Sequence, residues 1–128
     1  MTTTRYDVTG IGNAIVDIIG RCDDTYLKTI GADKGSMRLV NAAEITKIYS
    51  GMGPAIETSG GSAANTLAGI ASFGGRAGFI GKVADDEFGR IFSHDIRAIG
   101  VKFTAPPVSG SQPTSRSLIL VTPDGERT

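Results

Sequence analysis

The stretch Ser59-Gly60-Gly61-Ser62 constrains this chain more than any other, because of what lies on either side of it. Ahead of it, Ala55 to Thr58 reads as a short extended piece. Behind it, Ala63 to Phe73 places Ala64, Leu67, Ala68 and Ala71 on one helical face. Two adjacent glycines let the backbone turn sharply, and the small side chains that follow let a helix lie close to a sheet. Ser62 is expected to cap that helix and Gly74 to close it. A strand, a tight turn and a close-lying helix make one unit of an α/β layer structure.

The rest of the sequence repeats the alternation. Tyr6 to Ile19 is apolar and β-branched, and reads as a buried strand, a bend at Gly12-Asn13 and a second strand segment. Thr25 to Ile30 reads as a short helix ended by Gly31, and Ser36 to Val40 as a short strand. Asn41 with Glu44 three residues later is a capping-box signature for a helix over Asn41 to Ser50. Arg76 to Val83 reads as a strand. Asp85-Asp86-Glu87 then put negative charge where a helix dipole favours it, and Phe88, Ile91, Phe92, Ile96 and Ile99 form that helix's apolar stripe up to Gly100. Val101 to Pro113 is rich in Pro, Ser and Gly. Ser115 to Val121 is a strand, and Thr122-Pro123-Asp124-Gly125 is a turn. Three residues follow that turn, which is short for a return strand. Two strands, near Tyr6 and Phe79, clearly belong to a parallel core, too few to be covered and edge-protected. The expectation is the N-terminal part of a longer protein, one that begins at Met1 and on its own is poorly stable or self-associates.

Composition narrows the function. The 128 residues carry 13 basic and 13 acidic side chains, so the net charge is zero. Nucleic acid and anionic membrane surfaces both select a basic excess, and neither is an expected partner. Cys22 is the one cysteine, which excludes an internal disulfide and a thiol-rich metal site. No apolar run approaches the ~18 residues of a membrane span. The start lacks a hydrophobic signal region, so the expected compartment is cytoplasmic.

Three glycine-rich places invite a phosphate reading. Gly10-Ile-Gly12-Asn-Ala-Ile15 has Ile where a dinucleotide fingerprint needs its third glycine, and no P-loop pattern occurs. Gly60-Gly61-Ser62 opens a helix whose free N–H groups suit an anion or a hydroxyl; a tight packing turn explains the same residues. Asn13 and Asp17 are polar residues in an apolar strand region. Either Asp17 caps a turn or faces water, or both hydrogen-bond a polyhydroxyl ligand, for which a carboxylate accepting two O–H donors is well suited. Asn65, in the first turn after Gly61, is either exposed or a contact at the same place. His94 reads as a surface residue and Cys22 as inert. Gly31-Ala32-Asp33 lies in a surface link without the following helix that a catalytic Gly/Asp loop needs.

Four blocks in order carry a family resemblance: Gly10-Ile-Gly12-Asn13-Ala-Ile-Val-Asp17, Gly60-Gly61-Ser62-Ala-Ala-Asn65-Thr-Leu-Ala68, Phe79-Ile-Gly81-Lys-Val-Ala-Asp-Asp86-Glu-Phe-Gly89, and Thr114 to Thr128. Together they resemble the ribokinase-like (PfkB) family of carbohydrate and nucleoside kinases over nearly the whole chain. The first strand and the Thr114 to Thr128 block look most like the nucleoside kinases of that family. The resemblance implies a ribokinase-like (Rossmann-like) three-layer α/β core with a small β-sheet lid, the lid strands lying at about 35–40 and 114–128 of one interleaved domain. It implies ATP-dependent phosphorylation, with Mg2+, of a primary hydroxyl on a nucleoside such as adenosine. A sugar kinase, or a non-catalytic sugar- or nucleoside-binding module, is the alternative.

By the same resemblance, the substrate-binding positions are Asn13 and Asp17 for sugar hydroxyls, Gly60, Gly61, Ser62 and Asn65 for the adjoining wall, and Met37 near the base or aglycone. A homodimer through the lid is also compatible with it. The family's second signature, Gly-Ala-Gly-Asp, is absent. The general base and the ATP site are therefore expected in a C-terminal half that this chain does not contain, and the 128 residues alone are expected to be inactive.

Overall fold

The computed structural model describes residues 4–128; the Met1 start lies outside them. The chain forms two compact units, each made of separated stretches. The first comprises the described residues up to Val16 together with Thr58–Ser115, the second Asp17–Glu57 and Arg116–Thr128.

In the first unit, β1 (Val8–Ile11) pairs in parallel with β4 (Ala77–Ile80), Gly10 opposite Phe79 and Ile11 opposite Ile80. Both strands start from one ion pair. Asp7 takes the Arg76 guanidinium at 2.7 Å and the Arg76 N–H at 2.8 Å. Lys102 adds a parallel bridge to the far side of β4. Helix α3 (Ser62–Ser72) packs on β1 and β4, and Gly10 shows how closely: a Cβ there would sit 3.1 Å from the Leu67 side chain. Helix α4 (Glu87–Ala98) buries Phe92 and Ile96. The Phe79, Phe92 and Phe103 rings meet pairwise at 5.5–5.7 Å between centroids, the tilted and edge-on arrangements that aromatic quadrupoles favour. Ile11 and Ile80 remain exposed, an uncovered stretch of sheet as the sequence suggested.

The second unit is built on a sheet of order β3-β2-β5, with β2 (Ile15–Arg21) central between β3 (Ala55–Gly60) and β5 (Ser115–Val121). Along β2 burial alternates: Val16, Ile18 and Gly20 are buried, while Ile15, Asp17 and Ile19 are half-buried, the period of a strand with two unlike faces. Helix α1 (Asp24–Thr29) is capped by Asp23, which accepts from Tyr26 N–H at 2.7 Å. Helix α2 (Ala42–Gly51) carries the expected capping box, with Asn41 Oδ1 accepting from Glu44 N–H and Glu44 Oε2 from Asn41 N–H. The Tyr26 hydroxyl donates to the Ile48 carbonyl at 2.8 Å and ties the two helices.

Four expectations change. Tyr6 to Ile19 does form two strands about a bend, but the first, β1, is not buried: Val8, Thr9 and Ile11 are exposed and Gly10 half-buried, and β1 and β2 join different sheets. Ser36 to Val40 is no strand. There the Ser36 hydroxyl and N–H donate to Asp33 O and the Arg38 guanidinium to Ile30 O and Gly31 O, so polar groups fold the segment back on its own loop. Ser62 does not cap α3: Gly61 occupies the cap position at φ 96°, and Ser62 is already helical, with no side-chain cap bond. The three residues after Gly125 do pair back. Leu120 and Thr128 exchange N–H···O bonds of 2.9 and 3.0 Å, and Thr122 N–H donates to Glu126 O.

Candidate substrate-binding site

The bend between β1 and β2 nests against the start of α3, and glycine makes that approach possible. A Cβ on Gly61 would lie 2.8 Å from the Asn13 carbonyl oxygen, and one on Gly12 would lie 2.7 Å from the Ala63 Cβ. Gly61 therefore meets two demands at once, a left-handed φ and a neighbour's backbone at contact distance. The first helical bond of α3, Asn65 N–H to Gly61 O at 2.8 Å, leaves the N–H groups ahead of Asn65 pointing out of the helix start. Gly60 is buried, Gly61 half-buried, and Ser62 and Asn65 are exposed.

Asn13 is exposed and lines a cleft of about 450 Å³ wholly within the first unit. Its other walls come from the ends of β1 and β4, Gly81–Lys82, and residues 112–115. A groove of about 550 Å³ runs along α4 past Arg90, Ser93, His94 and Arg97, and holds none of the expected site residues.

In the second unit Asp17 sits mid-strand on the half-buried face of β2, which removes the turn-cap reading. Burial pushes its carboxyl above the ordinary carboxylate value, and the Ser117 hydroxyl of β5, donating to it, partly offsets that. An acid in this position retains lone pairs for further O–H donors. Met37 stands 81% exposed on the 36–40 loop. That loop's base is fixed by Lys34, which bridges Asp24 at 2.8 Å and Asp124 at 2.6 Å, and by Gly35 N–H donating to the Thr128 hydroxyl.

Thus the structure brings Gly61 against Asn13, with Gly60, Ser62 and Asn65 around the same helix start. It sets Asp17 and Met37 in the other unit. Ser117 was not singled out from the sequence, although it carries the signal that drew attention to Asp17: a polar residue within an apolar strand. His94 is exposed, as read, beside Asp95 at 3.3 Å. The Cys22 thiol is pushed up by burial and by Asp23 and Asp24, so it stays protonated at neutral pH. Among the described residues no group of three or more His, Cys, Asp or Glu could hold a metal ion. No helix among them is long and apolar enough to cross a membrane.

Residues 56–128 match the pfkB family carbohydrate kinase profile, more than half of the chain. The chain belongs to that family. A solved adenosine kinase from Sinorhizobium meliloti is 61% identical, with a TM-score of 0.85, over 97% of this chain and 38% of that one. A solved Rhizobium etli CFN 42 protein described as "probable sugar kinase protein" is 53% identical, TM-score 0.85, over 98% of this chain and 38% of that one. A fructokinase of Klebsiella pneumoniae is 33% identical over 94 residues, 73% of this chain and 31% of that protein. The chain thus spans about a third of the length of these relatives. The α/β architecture read from the sequence is the ribokinase-like one these family members share.

Proposed function

We propose that this chain supplies the acceptor-binding part of an ATP-dependent kinase that phosphorylates a primary hydroxyl of a nucleoside, adenosine first. One observation carries the reading: Asp17, a carboxylate held half-buried in the middle of β2, its ionised form disfavoured by burial and relieved by the Ser117 hydroxyl. Such a group gains most from a ligand that brings O–H donors, as a ribose diol does. In this reading Asn13, Asp17, Gly60, Gly61, Ser62 and Asn65 bind the sugar part, and Met37 lies toward the base. The loop around Met37 and the strand β5 belong to the lid, whose closure would keep water from the reacting phosphoryl group.

The choice of a nucleoside is supported by the 61% identity to an adenosine kinase. A second reading, a hexose kinase, is favoured by the fructokinase likeness. ATP with Mg2+ would supply the phosphoryl group. Their site, and the general base that takes the hydroxyl proton, are assigned to a part of the protein outside this chain. The 128 residues alone would then turn over no substrate. Assay of the natural full-length protein with ATP and adenosine, ribose or fructose tests both readings: the highest kcat/KM should fall to adenosine. A preference for fructose or ribose would replace the first reading by the second, and phosphorylation by the isolated chain would overturn the division of labour.

A further inference from the structure

Helix α4 starts on Asp86, and that carboxylate makes more bonds than a helix cap requires. Its Oδ1 accepts from Gly89 N–H at 2.7 Å, the ordinary capping bond. The same oxygen accepts from the Thr114 hydroxyl at 2.7 Å, and Oδ2 accepts from Thr114 N–H at 2.9 Å. Thr114 is 5% exposed, and its hydroxyl oxygen accepts from Ala84 N–H at 3.0 Å. Ala84, Asp86 and Thr114 are thereby closed into one ring of bonds, buried at Ala84 and Thr114 and half-buried at Asp86, with two charge-assisted links to Thr114. Gly89 is packed into the same knot, since a Cβ there would run into the Ala84 carbonyl.

The partner in this ring is a residue at the edge of the cleft that Asn13 lines. Gln112, Pro113, Thr114 and Ser115 form one wall of that cleft, and Ala84 contributes to it as well. The wall has little structure of its own. Upstream, Val108 is held by a bridge to Ala84 and by bonds to Val83 O and Asp85 N–H. From there to Pro113 the exposed chain forms no helix or strand, with the Ser111 hydroxyl bonding to Val108 O and Gln112 O. Pro113 has no N–H to offer. The Thr114 N–H and hydroxyl are the next anchor, and both go to Asp86.

We propose that Asp86 and Thr114 are positioning residues for the phosphoryl acceptor: together they fix residues 112–115 as a wall of the Asn13 cleft. This rests on the reading of Asn13 as a substrate contact. A helix cap alone explains the Gly89 bond; the two bonds to Thr114 go beyond it and anchor the wall. The acceptor's fit depends on the wall staying in place, so loosening it weakens acceptor binding while the transfer step and ATP binding are left alone.

The test uses the natural full-length protein with three variants. Thr114→Val keeps the shape and removes the hydroxyl; Thr114→Ser keeps the hydroxyl; Asp86→Asn keeps the volume and removes the charge. Thr114→Val and Asp86→Asn are expected to raise the acceptor KM roughly tenfold, the scale of losing one charge-assisted bond. kcat and the KM for ATP should stay within about twofold, and Thr114→Ser should restore the wild-type KM. Amide hydrogen exchange over 109–113, measured without substrate, should speed up in Thr114→Val and not in Thr114→Ser. A wild-type acceptor KM in Thr114→Val overturns the proposal even if exchange is faster, because the bonds would then be structural alone. An equal rise in both KM values overturns it too, as general loosening. If the wild-type protein phosphorylates neither nucleoside nor sugar, the functional reading fails. Unchanged exchange in Thr114→Val would independently show that the Asp86–Thr114 bonds do not fix the wall.

Discussion

The two units of this chain differ in how large a core they bury. The first buries the mutually contacting Phe79, Phe92 and Phe103 rings and, among others, Leu67, Ile96 and Val101. The second buries, among its described apolar side chains, Ile18, Leu27, Ile45 and Leu120; both units leave large apolar side chains exposed, Met37, Leu39 and Ile56 here and Ile11, Phe73 and Ile80 in the first. Beside this smaller core stand directed polar ties, the Lys34 bridge to Asp24 and Asp124, the Asn41 capping box, the Tyr26 hydroxyl on Ile48, and Tyr49 on Glu57 at 2.7 Å, where the first unit adds its Asp7–Arg76 and Asp86–Thr114 ties to a larger core. Close packing makes a unit stiff, whereas polar ties of about 0.5–1.5 kcal/mol net each can be exchanged for bonds to a ligand. The half-buried Asp17 belongs to the second kind of unit, and the glycine-tight bend at Asn13 to the first.

The contrast can be broken by cutting each unit where it is strongest. The largest expected effect is Phe92→Ala, which removes the ring that contacts both Phe79 and Phe103; a loss of about 3–5 kcal/mol is the range for a buried Phe. Leu27→Ala in the second unit should cost less, about 2–3 kcal/mol, because a smaller side chain is removed from a unit that buries fewer apolar side chains. Denaturant unfolding of both variants measures the difference, and equal losses would mean that the second unit is packed as tightly as the first. Gly61→Ala comes next, at about 1–3 kcal/mol, from a left-handed φ and a clash with the Asn13 carbonyl. It should also weaken acceptor binding, which a simple loss of stability would not. Asn41→Ala should cost about 1 kcal/mol by removing the side-chain oxygen that accepts from the Ala43 and Glu44 N–H groups.

The smallest effect concerns pH. The Arg76 guanidinium beside Asp7 lowers its carboxyl to about 2, from an ordinary 3.8. The folded form therefore holds its proton less tightly than the unfolded chain. The pair's contribution is complete above the ordinary value and is lost as pH falls through the folded one. The difference in thermal midpoint between wild type and Arg76→Met should be small, steady above about pH 4, and vanish toward pH 2. A difference that grows on acidification would reverse that assignment.

Much of this was legible in the sequence where a local rule decides the outcome. The Asn41–Glu44 spacing gave the capping box, Gly74 and Gly100 closed their helices at positive φ, and the alternation around Tyr6, Gly60 and Phe79 gave the α/β class. Local rules failed where tertiary contacts outvoted them. Ser62 is a good cap by type, but the approach of Gly61 to Asn13 sets the helix start one residue earlier. Ser36 to Val40 has strand-like residues, but Arg38 and Ser36 find acceptors in their own loop before any neighbouring strand does. The separation of β1 and β2 into two sheets had no sequence signal beyond the bend itself. Nor could spacing reveal that Asp86, expected at a helix start for its charge, would reach 28 residues ahead to Thr114.

The central claim is that Asp17 serves a ligand rather than the fold, and Asp17→Ala in the natural full-length protein tests it most directly. Losing two bonds to a charged acceptor costs roughly 3–6 kcal/mol, at ~1.5–3 kcal/mol each. Adenosine kcat/KM should therefore fall by about two to four orders of magnitude, with the KM for ATP nearly unchanged. The thermal midpoint at neutral pH should hold or rise. Burial raises the Asp17 carboxyl, so its ionised form opposes folding above that raised value, and removing it relieves the opposition. A fallen midpoint with near-normal adenosine kcat/KM would contradict the account and make Asp17 a structural residue.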